Sequence, residues 1–358
     1  MKKTLLTVCL VWMCFSLSAQ KIIDLSGKWS FSIDRQDNGE KEKWFSHTLN
    51  DFINLPGSMP EKLKGDEVTA KTRWTGSLYD SSYYYNPYME KYRKEGNIKF
   101  PFFLTPDKHY VGVAWYQKEV NVPADWKGER ILLFLERPHI ETTVWVNGQK
   151  AGMQNSLCVP HQYDITRYVR PGKCTITIRV DNRIKEINVG PDSHSITDQT
   201  QGNWNGIVGR ICLQTTPKTY FDDIQIYPEP EQKLARVKVV IKGTGTAKVK
   251  LSAESFNTDK KHIVPAIQQE IKLNKGVTET EMVLPMGNDM LLWDEFHPAL
   301  YKLKAEVTNG KKTEIKEIQF GIRRFEIKGK WFYVNGRKTQ LRGTVENCDF
   351  PLTGYAPM

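Results

Sequence analysis

Residues 142–152, TTVWVNGQKAG, read as a strand, a two-residue turn and a returning strand. Thr142, Thr143, Val144, Trp145 and Val146 are β-branched or aromatic, the side chains that suit a pleated, half-buried surface. Asn147-Gly148 is the pairing that type I′ hairpins favour, because both central residues need φ > 0. The pattern continues on either side. Upstream, Asp24-Leu25-Ser26-Gly27-Lys28-Trp29-Ser30-Phe31-Ser32-Ile33 and Ala114-Trp115-Tyr116-Gln117-Lys118-Glu119-Val120-Asn121-Val122 alternate bulky with polar residues. Residues 131–135 are a nearly continuous apolar run, fit for a strand buried on both faces. Downstream, Thr175-Ile176-Thr177-Ile178-Arg179-Val180 predicts Ile176, Ile178 and Val180 on a core and Thr175, Thr177 and Arg179 facing away. Many short strands with little helical period predict an all-β chain that begins with a jelly roll or sandwich.

Beyond Pro217, Pro228 and Pro230, strands recur at short spacing: residues 237–241, 247–251, 267–271, 279–283 and 301–307. They predict an immunoglobulin-like sandwich without the Cys…Trp…Cys pattern of antibody domains. Residues 320–358 predict two short strands about an Asn335-Gly336 turn, then a third strand from Thr339 to Gly343 and a loop rich in Asn, Asp, Pro and Gly. A chain that stops just after opening a strand is expected to lack the domain which that strand begins.

The chain has 358 residues, too long for one ordinary domain. Its 51 basic and 41 acidic residues give a net charge of +10, but the two signs interleave, as in Lys41-Glu42-Lys43. That argues for a solvated surface and against nucleic-acid binding, which gathers basic residues on one face. Lys2 and Lys3, the apolar residues 5–17 and the small residues near Ala19 predict a secretory signal peptide over 1–19 and an exported mature chain. Met13 before Cys14 disfavours a lipidated cysteine, and the run is too short for a span, which needs ~20 apolar residues. Cys158, Cys174, Cys212 and Cys348 then remain, none at zinc-site spacing. Export permits a disulfide among them, and a domain this large does not need one. No cofactor or metal is expected.

Residues 62–110 interrupt the strand pattern with a long aromatic stretch that includes Trp74, Tyr79, Tyr83, Tyr84, Tyr85, Tyr88, Tyr92, Phe100, Phe102 and Phe103. Long irregular segments of this kind are often functional. The rings suit two roles, pinning the segment onto the sandwich or stacking on sugar rings.

Several motifs, in order, resemble glycoside hydrolase family 2, the family of β-galactosidases, β-glucuronidases and β-mannosidases. Val111-Gly112-Val113-Ala114-Trp115-Tyr116-Gln117-Lys118 looks like its G-x-x-W-Y-R/Q-K strand, and Thr143-Val144-Trp145-Val146-Asn147-Gly148 like its V-x-V-N-G hairpin. Tyr163-Asp164-Ile165-Thr166 is similar to its F-D-I-T segment, and Asn203-Trp204-Asn205-Gly206-Ile207 to the turn closing its sugar-binding domain. Leu292-Trp293 with His297-Pro298, Leu300-Tyr301 and Leu303 resemble a motif late in its immunoglobulin-like domain; Phe320-Gly321-Ile322-Arg323 and Val334-Asn335-Gly336-Arg337, with Leu341-Arg342-Gly343, resemble the entry to its catalytic barrel.

The resemblance implies a jelly-roll sugar-binding domain over 20–219, an immunoglobulin-like domain over 220–321, and over 322–358 the lead-in hairpin and first strand of a (β/α)8 barrel. It implies a retaining β-glycosidase acting on an oligosaccharide or glycoside. Such chemistry needs two carboxyl groups roughly 5–5.5 Å apart; in the family these are glutamates on later barrel strands, so this chain alone is expected to be inactive. Glu346-Asn347 reverses the family's Asn-Glu dipeptide at the wrong strand and is not catalytic. In relatives, loops of the first domain and of barrel strand 1 face the sugar. This makes Asp198, Asn203, Trp204 and Asn205, with Glu346, Asn347 and Asp349, the candidate substrate-binding residues. Asn347 stands where the family commonly has histidine, which leaves the sugar class open. Turn geometry and loop capping would also account for these polar residues. A stand-alone carbohydrate-binding protein and an inactive truncated product are the alternatives.

Overall fold

The computed structural model describes residues 21–76, 82–98, 106–157, 159–185, 198 and 202–344. The chain divides into two compact units, Lys21–Thr216 and Pro217–Leu341. In the first unit the strands are β1 (Ile22–Asp24), β2 (Gly27–Asp34), β3 (Asp51–Leu55), β4 (Gly57–Ser58), β5 (Asp66–Glu67), β6 (Lys108–His109) and β7 (Val113–Val122). They are followed by β8 (Arg130–His139), β9 (Glu141–Val146), β10 (Gln149–Asn155), β11 (His161–Asp164), β12 (Gly172–Asp181) and β13 (Gly206–Thr216). One sheet runs β1-β13-β8-β11, with β4 beside β13; the other runs β10-β9-β12-β7-β2-β3. This is the expected jelly roll. Leu133, Leu135, Ile211 and Leu213 of the first sheet pack against Trp29, Phe31, Tyr116, Val144, Ile176 and Ile178 of the second. The β9–β10 hairpin turns at Asn147 (φ 51°) and Gly148 (φ 78°), as its residues require.

β12 departs from the expected alternation. Thr177 and Arg179 are buried along with Ile176, Ile178 and Val180. The loop after β2 folds over that outer face: Leu49, Trp44 and Phe45 cover Val113, Trp115 and Trp145, with Phe45 stacked on Trp145 at 5.2 Å. Asp34 fixes the loop by accepting hydrogen bonds from the Asn38 and Gly39 amides and from Trp115 Nε1. A period of two tells only that a strand has two faces. It does not tell that a later loop will cover the second.

In the second unit the strands are β14 (Tyr220–Glu229), β15 (Leu234–Phe256), β16 (Ile263–Pro285), β17 (Leu300–Asn309) and β18 (Lys312–Phe320). The four segments expected as separate strands between 237 and 283 are halves of the two long strands β15 and β16. Gly243 and Gly245 shift the register opposite Gly276 and Leu273, and Gly245 and Gly276 take positive φ. The first half of β15 pairs with β14 and the second half with β17, so one bent hairpin serves both layers of the immunoglobulin-like sandwich. Its core joins Val237, Val239 and Ile241 to Leu251, Leu303 and Val307.

A three-stranded sheet follows: β19 (Phe325–Lys328), β20 (Trp331–Val334) and β21 (Arg337–Thr339). Asn335 and Gly336 make the turn between β20 and β21, at φ 51° and 78°. The strand expected over 339–343 ends at its first residue, and residues 340–344 carry no ladder. Asn335 also ties the sheet down, donating from Nδ2 to the Trp293 carbonyl and accepting the Arg324 amide. Of the expected cysteines, Cys174 and Cys212 are buried free thiols, while Cys158, Cys348 and the expected signal peptide lie outside the described residues.

Candidate functional site

The aromatic stretch leaves the first unit through a narrow neck. β5 and β6 pair antiparallel, Asp66 opposite His109 and Glu67 opposite Lys108, so the chain departs and returns side by side. Beyond the neck, Thr69 organises a turn: its carbonyl accepts the Thr72 amide and its hydroxyl the Lys71 amide. Further out lie a one-turn helix α1 (Ser82–Tyr85) and the 3-10 segment Pro87–Arg93. Tyr83 is buried against Trp74, Met89 and Tyr92, whereas Tyr84, Tyr85 and Tyr88 are exposed. Pinning therefore describes Tyr83. Tyr79, Phe100, Phe102 and Phe103 lie outside the described residues.

Beside the neck is an open cleft of about 870 Å³. It is lined by the basic–aromatic run Lys71-Thr72-Arg73-Trp74, by Arg183-Ile184-Lys185 just past β12, and by His109 and Tyr110. Trp74 lies against the His109 ring at 4.7 Å.

Asp198 staples the run in place. Its Oδ2 accepts the Thr75 amide at 2.6 Å and lies 3.3 Å from His109 Nε2; its Oδ1 accepts the Asn203 amide at 2.7 Å. Three buried amide side chains extend this bracing inward. Asn203 Nδ2 donates to Thr75 Oγ1 and the Asn182 carbonyl, and Asn182 Nδ2 donates to Asn203 Oδ1 and the Tyr110 carbonyl. Asn205 Nδ2 donates to the Gly112 and Val180 carbonyls at 2.9 and 3.0 Å, while its Oδ1 accepts Tyr116 OH at 2.7 Å. Asparagine suits these positions because a single side chain both donates and accepts, which satisfies backbone groups where strands end.

Four of the expected substrate-binding residues thus come together, with different surroundings. Asp198, Asn203 and Asn205 are 2%, 3% and 0% exposed and bonded to protein groups. Trp204 is half-buried and stacks on His139, ring centres 4.6 Å apart. His139 is buried, and its Nε2 has no hydrogen-bond partner among the described residues. Burial pushes its pKa down to about 4, against smaller upward pulls from Asn203 and Asp198. Glu346, Asn347 and Asp349 lie outside the described residues.

A cluster of charges borders the cleft. Asp181 Oδ2 meets Arg183 at 2.6 Å, Lys185 at 2.9 Å and Arg179 at 3.3 Å; Asp37 and Glu141 complete the group. Burial raises the Asp181 pKa, but hydrogen bonds from Arg183 and Lys185 outweigh it and hold the carboxyl far below the usual carboxylate range. No group of metal-ligating side chains occurs among the described residues.

Lys71, Arg73, Asn182, Arg183 and Lys185 escape the sequence reading. The run Lys71-Thr72-Arg73-Trp74 is a legible signal, two cations just before a ring; Arg183 and Lys185 join it only through folding.

Two family models match in succession: "Glycosyl hydrolases family 2, sugar binding domain" over residues 22–217 and "Glycosyl hydrolases family 2" over 219–323. Among curated relatives, a beta-glucuronidase of Paenibacillus borealis is 24% identical over 94% of this chain and 51% of its own length. A beta-galactosidase of Thermoanaerobacter pseudethanolicus is 26% identical over 73% of this chain and 35% of its own. A putative beta-glucuronidase of Formosa agariphila is 29% identical over 68% and 29%. The chain thus spans about half the length of these relatives, or less. Its fold is similar to that of Ruminococcus gnavus β-glucuronidase, with a TM-score of 0.63 at 19% identity over 91% of this chain and 49% of that one.

Proposed function

Since the chain belongs to glycoside hydrolase family 2, we propose that it forms the non-catalytic modules of an exported, retaining β-glycosidase. The observation that carries this reading is the order of the two family matches, sugar-binding domain before immunoglobulin-like domain, over consecutive stretches. Hydrolysis with retention needs one protonated and one ionised carboxyl across the glycosidic bond. The family resemblance puts both on a barrel, so these modules by themselves bind and position but do not cleave. β-Glucuronides and β-galactosides are the first substrates to test, given the names of the relatives.

Within this reading Trp204 presents its ring to a sugar, and Asp198, Asn203 and Asn205 act through it by fixing its loop. Glu346, Asn347 and Asp349 supply hydroxyl ligands, as the family resemblance implies for the loop after barrel strand 1. Purified as 358 residues, the chain is expected to leave nitrophenyl β-glucuronide, β-galactoside and β-mannoside intact. Turnover that disappears on mutating a residue of this chain would overturn the non-catalytic assignment. Sequencing past codon 358 tests the larger enzyme: a reading frame encoding a barrel with two glutamates is expected, and an immediate stop codon would count against it.

A further inference from the structure

We propose that the cleft beside the β5–β6 neck binds a sugar carrying a carboxylate or a sulfate. The cleft's size, about 870 Å³, falls within the ~300–1,000 Å³ of small-molecule sites.

The balance of charge at its walls is specific. Both acids that line it already have cations: Asp66 pairs with Arg35 at 2.7 Å, and Glu67 pairs with Lys108. Arg183 and Lys185 are likewise satisfied by Asp37, Asp181 and Glu141. Lys71 and Arg73 differ. Both side chains are exposed, and neither makes an ion pair or a hydrogen bond among the described residues. Two uncompensated cations therefore line a cleft in which every other formal charge among the described residues is paired, and an anion is the group they can accept. A guanidinium takes a carboxylate or sulfate through two parallel N–H donors, and the lysine ammonium adds a point charge.

Trp74 identifies the rest of the ligand. It walls the cleft directly beside Arg73, its ring backed by His109 and its following amide bonded to Asp198. An aromatic wall beside hydrogen-bonding groups suits a pyranose ring, which has an apolar C–H face and a polar rim. The support is built before any ligand arrives, since the Thr69 turn and the Asp198 staple both fix the backbone of residues 69–75. Such preorganisation lowers the ordering cost of binding.

The test is calorimetric titration of the full chain with three oligosaccharides of matched length: one uronate, one sulfated and one neutral. An anionic ligand is expected to bind at least ~10-fold more tightly than the neutral one. The preference should weaken as salt rises. Arg73→Gln and Lys71→Gln, exposed changes that leave the fold intact, should each cost about ten-fold for the anionic ligand and nothing for the neutral one. Comparing uronate with sulfate decides which anion the cleft accepts. The proposal is overturned if neutral and anionic sugars bind alike, if both charge variants bind like wild type, or if no ligand binds at millimolar concentration. Because only binding is read, failure here leaves the assignment to a β-glycosidase standing, and failure of hydrolysis leaves the cleft standing.

Discussion

Replacing Asn205 by alanine tests whether the amide ladder or the apolar core holds the open end of the jelly roll. The side chain is fully buried and makes three hydrogen bonds of 3.0 Å or less, with a fourth, long one from Nδ2 to Asn182 Oδ1 at 3.4 Å. Truncation leaves the Tyr116 hydroxyl, itself 0% exposed, without its acceptor, at a cost of about 1–3 kcal/mol. The Gly112 and Val180 carbonyls each lose a donor, about 1 kcal/mol apiece, and Gly112 keeps only a long bond from the Asn182 amide at 3.4 Å. The sum is about 3–5 kcal/mol, a large share of the ~5–15 kcal/mol that keeps a domain folded.

Urea unfolding can read this loss. With a slope near 2 kcal/mol/M, the midpoint of the first unit should fall by about 2 M. Tryptophan fluorescence follows that unit through buried Trp29, Trp115, Trp126 and Trp145. Two units need not unfold together, so the two transitions are fitted separately. Asn205→Asp sharpens the test: an ionised carboxylate keeps the Tyr116 bond but sets negative charge against two carbonyls, so it should be worse than alanine at pH 7 and recover on acidification. A loss below about 1 kcal/mol for alanine would refute the reasoning, because buried polar groups would then be finding partners elsewhere.

Other expectations follow from the same contacts. The folded pKa of His139, about 4, lies below its ordinary 6.5, so the unfolded chain binds more protons between those values. The first unit should therefore lose about 3 kcal/mol as pH falls from 6.5 to 4, and His139→Phe, which keeps the ring against Trp204, should abolish that slope in chemical denaturation. Asp181→Asn should cost about 3–5 kcal/mol at pH 7, measured by the same unfolding, because Arg179, Arg183 and Lys185 lose their shared carboxylate. That carboxyl's pKa is lowered on folding, so its contribution is complete above the ordinary carboxylate range and lost only in stronger acid. Gly39→Ala should destabilise by about 1–3 kcal/mol in thermal unfolding, since a Cβ there would lie 2.5 Å from Trp115 Nε1 and the Trp115 ring is fully buried. Asn335→Ala loses two hydrogen bonds and a left-handed turn residue; it should cost about 2 kcal/mol and expose the β19–β21 sheet to proteolysis.

The sequence reads most clearly where local chemistry decides the outcome. Asn147-Gly148 and Asn335-Gly336 each dictate a turn within two residues, and both turns form. Alternation in β2, β7 and β12 placed the inner face of the sandwich. What escaped depends on residues far apart in the chain. Thr177 and Arg179 look solvent-facing until the loop after β2 covers them, and residues 237–283 look like four strands until glycines permit two long ones to bend. The candidate site divides the same way. The density of Asp198, Asn203, Trp204 and Asn205 is legible, but that three of them brace backbone groups emerges only when Gly112, Val180 and Thr75 arrive from elsewhere. β18 is not legible at all, because Lys312-Thr313-Glu314-Ile315-Lys316-Glu317 alternates too weakly to mark a buried face.

The paired neck of β5 and β6 has a consequence for how such a domain can diversify. The two ends of the excursion are held side by side, and the sandwich otherwise meets it at Trp74 and Thr75, which lie on His109 and bond to Asp198 and Asn203. For a flexible loop each doubling of length costs only about 0.6 kcal/mol in closure entropy. The segment between the strands is thus an exchangeable cassette, and Lys71, Arg73 and Trp74 travel with it, while His109, Arg183 and Lys185 stay with the scaffold. Half of the cleft can be rewritten by grafting, provided that the replacement keeps a residue bonding Asp198 and Asn203 as Thr75 does.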